Sequence, residues 1–244
     1  MRRNWKGGNM RKGNMELSRI VEEQIKKWEI SEERRKERKE APLSVITISR
    51  QPGSIVNEVV QRLSKELKLD IIDSKVINGV AESTRMSEKV VSQLDEKTRN
   101  VLDNWIVYLK ATRFLLTDKY VYHLTKVIGS IGEQGGAIII GRGANLILPP
   151  EETLRVRFIA PMETKIRHMM QEFGITEEDA KKRIILKEAE RRESVRRYFK
   201  VNIEDPINYD LIINTEFLGM ENIIGVIRSA LKFKKTFSRR KNDE

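Results

Sequence analysis

Between residues 43 and 231 the apolar positions follow two alternating rhythms. Short β-branched runs, LSVITIS (43–49), GAIIIG (136–141), LRVRFIA (154–160) and YDLIINT (209–215), read as buried strands, as does the shorter run 69–73. Between them apolar residues recur at helical spacing, beginning with Val56, Val59, Val60, Leu63 and Leu67 after the first strand. Residues 74–94 predict one or two short helices, with Ser87 a candidate N-cap for the second. Residues 96–132 lack proline and predict two helices or one long bent one. Pro161 opens a helix that stops near Gly174. Thr176-Glu177-Glu178-Asp179 then resembles a helix-start signature for a helix reaching Phe199. A last helix is predicted over 220–235. Strands alternating with helices predict an α/β fold, a parallel sheet wrapped by helices on both faces.

The flanks read differently. Residues 1–14 are rich in Gly, Asn, Lys and Arg and have little to bury, which predicts disorder. Residues 16–40 suit a helix with the stripe Leu17, Ile20, Val21, Ile25 and Trp28, closed by Pro42. The chain therefore divides into a basic N-terminal extension (1–42), a body (43–231) and a basic tail (232–244). The 244 residues include no cysteine, which excludes disulfides, a thiolate nucleophile and cysteine-type zinc sites. His123 and His168 show no metal-ligand spacing. No apolar run approaches the roughly 20 residues of a membrane span, and no secretory h-region opens the chain, so the expectation is a cytoplasmic protein with no membrane partner. The net charge of +11 invites a nucleic-acid reading, but it divides into +5 in the extension, +2 in the body and +4 in the tail. Basic tails without interleaved aromatics or a recognition helix do not make a nucleic-acid site, and nucleic acid is not expected as a partner. The N-terminal helix leaves room for a protein partner.

In a fold of this kind ligands gather at the C-terminal ends of the strands. Arg50, Gly53 and Ser54 follow the first strand, Asp73 and Ser74 the second, and Arg142 the third. The helix before the last strand carries Arg191, Arg192, Arg196 and Arg197. Arginine forks and a Gly-Ser turn at a helix N-terminus are what phosphate binding needs. Each feature also has a structural reading: the Pro-Gly turn as a plain connection, the arginine run as a solvated face, Asp73-Ser74 as a cap for the next helix. Arg142 is harder to assign to structure, because a charged side chain between two glycines at a strand end has few structural duties.

The segments VITISRQPGS (45–54), AIIIGRGANLIL (137–148), LRVRFIAP (154–161), GITEEDA (174–180), ERRESVRRYF (190–199) and DPINYDLIINT (205–215) occur in the order seen in the cytidylate kinase-like family, relatives of the P-loop nucleoside monophosphate kinases, which the chain resembles over about residues 43–231. The resemblance implies a three-layer P-loop NTPase-like fold with a five-stranded parallel sheet. It also implies ATP and Mg²⁺ as donor and cofactor, and nucleotides, most simply CMP or dCMP, as partners. Carried over by position, Arg50, Gly53 and Ser54 meet the ATP phosphates. Asp73 and Ser74 lie near the acceptor, and Arg142 holds its phosphate. Glu188 and Arg191 fall where the base is read, and Arg192, Arg196 and Arg197 act on the transferring phosphoryl group. The chain departs from the family at the phosphate loop. Ser49–Ser54 fits the family's Ser-Arg-x-x-Gly-Ser, but Ile55-Val56 replaces Gly-Gly, no lysine stands at the Walker position, and Glu188 replaces the usual aspartate. A β-branched residue forced into a left-handed conformation there would cost roughly 1–2 kcal/mol. Two expectations follow: a nucleoside monophosphate kinase, or a kinase fold without turnover that binds nucleotide or a protein partner.

Overall fold

The computed structural model describes residues 44–242 except 83, 93, 95 and 114–117, together with Arg19, Glu22, Glu23 and Lys26. Those four isolated positions are helical. The disorder expected over 1–14 and the rest of the N-terminal helix lie outside the described residues.

Five strands, β1 (Val45–Arg50), β2 (Asp70–Ile72), β3 (Ala137–Ile140), β4 (Thr153–Ile159) and β5 (Leu211–Asn214), form one sheet in the order β2-β3-β1-β4-β5. Every pairing is parallel, with Ile46 of β1 in register with Ile138 of β3 and Leu154 of β4. The alternation of side chains along a strand divides the core in two. Ile46, Ile48, Ile138, Leu154, Val156 and Phe158 face a layer made by α1 (Asn57–Leu67) and the last helix, α9 (Met220–Asn242). Val45, Ala137 and Ile139 face the opposite layer, made by α2 (Ser74–Ala81), α3 (Thr84–Ser92) and α5 (Lys119–Gln134), with α4 (Glu96–Arg113) packed against α5. The three-layer α/β architecture with a five-stranded parallel sheet is thus as expected.

Local chemistry sets the element ends. The Asp73 carboxylate accepts from Lys75 N at 2.7 Å and Val76 N at 3.0 Å, starting α2. Asp118 accepts from Tyr120 N at 2.8 Å, which starts α5 and divides 96–132 into two helices. Gly174, at φ +61°, ends α7 (Met162–Phe173), and the Thr176 hydroxyl accepts from Asp179 N to start α8 (Glu177–Phe199). Ser87 does not cap: it lies within α3, buried, with its hydroxyl 2.8 Å from His123 Nδ1. A four-residue helix, α6 (Ala144–Ile147), is too short to show a period in the sequence; the Trp105 indole of α4 donates to its Ile147 carbonyl at 2.7 Å. The last helix runs to Asn242, past the predicted 235. Among the described residues no helix is long and apolar enough to cross a membrane.

Candidate functional site

Strand β3 leaves the sheet through three successive left-handed residues, Gly141 at φ +78°, Arg142 at +54° and Gly143 at +69°. Gly143 has a second constraint, since a Cβ there would sit 2.4 Å from the Phe199 ring. Arg142 has no glycine's freedom and bears a strain of roughly 1–2 kcal/mol. Strain of that kind persists where the neighbourhood enforces it, commonly at a functional site. The turn holds the exposed Arg142 guanidinium at the mouth of a cleft of about 300 Å³ above the C-terminal ends of β1 and β3.

Arg50, Ser74, Tyr120, Arg142, Arg191 and Tyr198 line that cleft. Arg191 Nη1 donates to the Arg50 carbonyl at 2.7 Å, tying α8 to the end of β1, and Arg50 Nη1 donates to Asn57 Oδ1 at 2.7 Å. Burial lowers the pKa of Arg191; the charges of Arg50, Arg142 and Arg157 lower it further, against Glu188, which raises it. Burial likewise lowers that of Arg50, with Glu172 and Asp73 opposing. Guanidiniums stay protonated under such pressure, so the cleft is a region of mutually repelling, partly desolvated cations. An anion relieves that repulsion. A dianionic phosphate does so with fork geometry at hand.

The turn after β1 is closed in a different way. Gly53 stands at φ +76°, and a Cβ there would meet the Lys165 carbonyl oxygen at 2.5 Å. His168 Nδ1 lies 2.8 Å from the Gly53 carbonyl, and the Ser54 hydroxyl donates to Gln51 O at 2.7 Å. Gln51 Oε1 accepts from Ala160 N at 3.1 Å. The strain anticipated at Ile55-Val56 does not arise. Among the described residues the non-glycine positive-φ positions are Lys68, Arg142 and Lys200, and Val56, at φ −117°, is 1% exposed within the core. Ile55 points outward at 42% exposure. Val56 gives α1 no side-chain cap, so the helix presents its first N–H groups to whatever occupies the turn.

Of the residues singled out in the sequence, Arg50, Ser74, Arg142 and Arg191 meet in the cleft. Asp73 beside them caps α2, and Gly53 and Ser54 shape the β1 turn. Glu188 turns to Lys165, 2.7 Å away in a largely buried pair. Arg192 pairs with Glu204 at 2.8 Å, and with Arg196 and Arg197 it lines a second, open concavity beside Lys200 and Asn202. Sequence reasoning missed Lys165 and His168, which clasp the β1 turn from α7, and Arg157 on β4. The one available signal was charge inside an apolar strand: LRVRFIA carries two arginines where a covered strand should carry none.

A parallel sheet in this strand order, with an arginine-lined cleft at its C-terminal edge and a glycine turn opening the helix after β1, defines a three-layer α/β protein with a cationic cleft where such folds bind ligands. The chain belongs to the cytidylate kinase-like family, whose model matches residues 45–216. It is 21% identical over 189 residues to a cytidylate kinase of Ignicoccus hospitalis, covering 78% of this chain and 99% of that protein. Over 93 residues, 38% of the chain, it is 31% identical to a uronate isomerase of Corynebacterium glutamicum, but those residues span only 18% of that protein. Among solved structures, an uncharacterized protein from Eubacterium ventriosum superposes with a TM-score of 0.60 at 19% identity, over 78% of this chain and 98% of that one.

Proposed function

We propose that the protein transfers the γ-phosphoryl group of ATP to a nucleoside monophosphate, CMP or dCMP first among them. The observation that carries this reading is Arg142, held left-handed at the mouth of a cleft that already contains the half-buried cations Arg50 and Arg191. Cytidylate kinases among the relatives support the choice of acceptor. In this reading Arg142 and Arg191 receive the acceptor phosphate, and Ser74 and Tyr120 border its nucleoside. The uncapped N-terminus of α1, with Arg50 beside it, takes the donor phosphates. An acceptor phosphate oxygen attacks the γ-phosphorus and ADP leaves, a reaction that asks the protein for alignment and charge neutralisation more than for covalent chemistry. Arg192, Arg196 and Arg197 face the neighbouring concavity, and in this reading they serve the transferring group only after the C-terminal part of α8 turns toward the cleft.

The residues present fit Mg²⁺ only as an ion carried by the nucleotide. Among the described residues no group of three or more His, Asp or Glu could cage a metal, and Mg²⁺ in such sites is held largely by phosphates and water. When bound it neutralises phosphate charge, and Ser54 is the hydroxyl at hand to join its coordination.

A second reading, nucleotide binding without turnover, is favoured by one observation. The β1 turn engages its Ser54 hydroxyl and Gly53 carbonyl internally and plugs Val56 into the core where the family has a glycine. Incubation with ATP and Mg²⁺ and each common nucleoside monophosphate, followed by chromatography of the products, separates the two. Diphosphate formed from CMP or dCMP is the expected result. No diphosphate from any acceptor at high protein concentration rejects catalysis and leaves the second reading.

A further inference from the structure

Strand β4 carries a guanidinium where a central strand covered on both faces ordinarily carries an aliphatic side chain. Arg157 is 5% exposed. Its Nη1 donates to Ser49 Oγ at 3.0 Å and to the Tyr209 hydroxyl at 3.2 Å, and its guanidinium carbon lies 5.3 Å from the centre of the Tyr209 ring. All of these partners are neutral. Among the described residues no carboxylate forms an ion pair with it. Glu204 feels its charge but is joined to Arg192 at 2.8 Å. A buried cation without a paired carboxylate is costly, and a negative charge arriving in the adjacent cleft would offset that cost.

The surroundings say where that charge would arrive. Ser49 and Tyr209 both line the cleft, so Arg157 stands directly behind its wall. The Tyr209 hydroxyl is fully engaged, since it donates to Ile203 O at 2.7 Å while accepting from Arg157. The Ser49 hydroxyl accepts from Arg157, and no acceptor for its own proton stands among the described residues. Its proton is thereby aimed away from Arg157 and is available to a ligand oxygen.

We propose that Arg157 is a positioning residue for phosphate. From behind the cleft wall it orients the Ser49 hydroxyl as a donor to a phosphoryl oxygen, and it supplies a positive charge that the phosphate of a bound nucleotide completes. The role rests on the nucleotide-binding reading above and extends it. The preferred ligand is a phosphate monoester, not its uncharged nucleoside, and the discrimination comes from a residue that never touches it.

Isothermal titration of the full-length protein with CMP and with cytidine tests this. Arg157→Gln keeps a polar donor on a shorter side chain and removes the charge. It is expected to weaken CMP by about tenfold or more, the size of one charge-assisted hydrogen bond, and to leave cytidine within about twofold. An unchanged CMP affinity in Arg157→Gln overturns the proposal, and so does an equal loss for CMP and cytidine, which marks a purely structural residue. Where Arg157→Gln does not fold, Arg157→Lys carries the test. It keeps the charge and should hold CMP within about fivefold, and a larger loss in a folded Arg157→Lys overturns the role of charge. If the wild type binds none of CMP, ATP and pyrophosphate, the nucleotide-binding reading fails. Wild-type binding with an indifferent Arg157→Gln rejects the role of Arg157 alone.

Discussion

The turn after β1 and the turn after β3 start alike: each leaves a central strand at its C-terminal end through a left-handed glycine and opens a helix. They are finished in opposite ways. Behind Gly53 the chain packs the backbone of Lys165, brings His168 to the glycine carbonyl, and drives Val56 into the core. Around Gly141 and Arg142 there is open space, with nothing within 4 Å of a Cβ placed on Gly141, and the arginine projects to the cleft. The first turn engages its Ser54 hydroxyl and Gly53 carbonyl internally, while the second leaves its cation exposed at the cleft. The first turn is packed shut while the second holds a strained arginine at an open cleft, as the proposed binding role requires.

That contrast can be broken by mutation. Arg142→Ala is expected to reduce kcat/KM for CMP by about 10²–10³-fold, the loss typical of one preorganised contact to transferring charge, with thermal stability equal to the wild type or higher. A fall in stability matching the fall in activity would place Arg142 among the structural residues. Gly53→Ala meets both a positive φ and the Lys165 backbone, and urea unfolding should show it destabilised by about 2–4 kcal/mol. A neutral outcome would show that the β1 turn is as open as the β3 turn. Restoring glycine separates the two altered positions of the β1 turn. Val56→Gly removes a core side chain and should cost about 2–3 kcal/mol. Ile55→Gly, on the exposed side, should stay within about 1 kcal/mol of wild type and bind ATP more tightly in equilibrium dialysis. Tighter ATP binding in Val56→Gly with no loss of stability would contradict the packing argument. The smallest effect on stability is expected for Arg142→Gly, which relieves a left-handed side chain and should raise stability by about 1 kcal/mol while losing activity on CMP as far as Arg142→Ala does.

The sheet was legible because each strand is a short β-branched run bounded by glycine, proline or charge, and because the capping signatures at Asp73 and Thr176 are local. Arg142 was legible for the same reason: its two glycines are its immediate neighbours. What the sequence hid depends on packing between distant segments. Glu188 has the spacing of a base reader, yet Lys165, 23 residues earlier, holds it at 2.7 Å. Ser87 has the chemistry of a cap but was claimed by His123, 36 positions on. The strain anticipated at Ile55-Val56 presumed that the turn would keep the family's backbone. Burial of Val56 instead draws the chain into a right-handed entry to α1, at φ −117°. Arg192, Arg196 and Arg197 share a helix with Arg191, but helical rotation sends them to another face, a separation of about 100° per residue that a linear motif does not display.

The Trp105 indole, hydrogen-bonded to Ile147 and stacked on Tyr108 at 5.0 Å, spans from α4 to the helix that the glycine turn opens. The chain's other tryptophans, Trp5 and Trp28, fall within residues 1–42. Replacing those two with phenylalanine leaves the full chain with a single tryptophan, seated against the element that begins immediately after Arg142 and Gly143. The molecule thereby carries its own optical gauge of the β3 turn, through which nucleotide arrival can be timed in a stopped-flow mixer without attaching a dye.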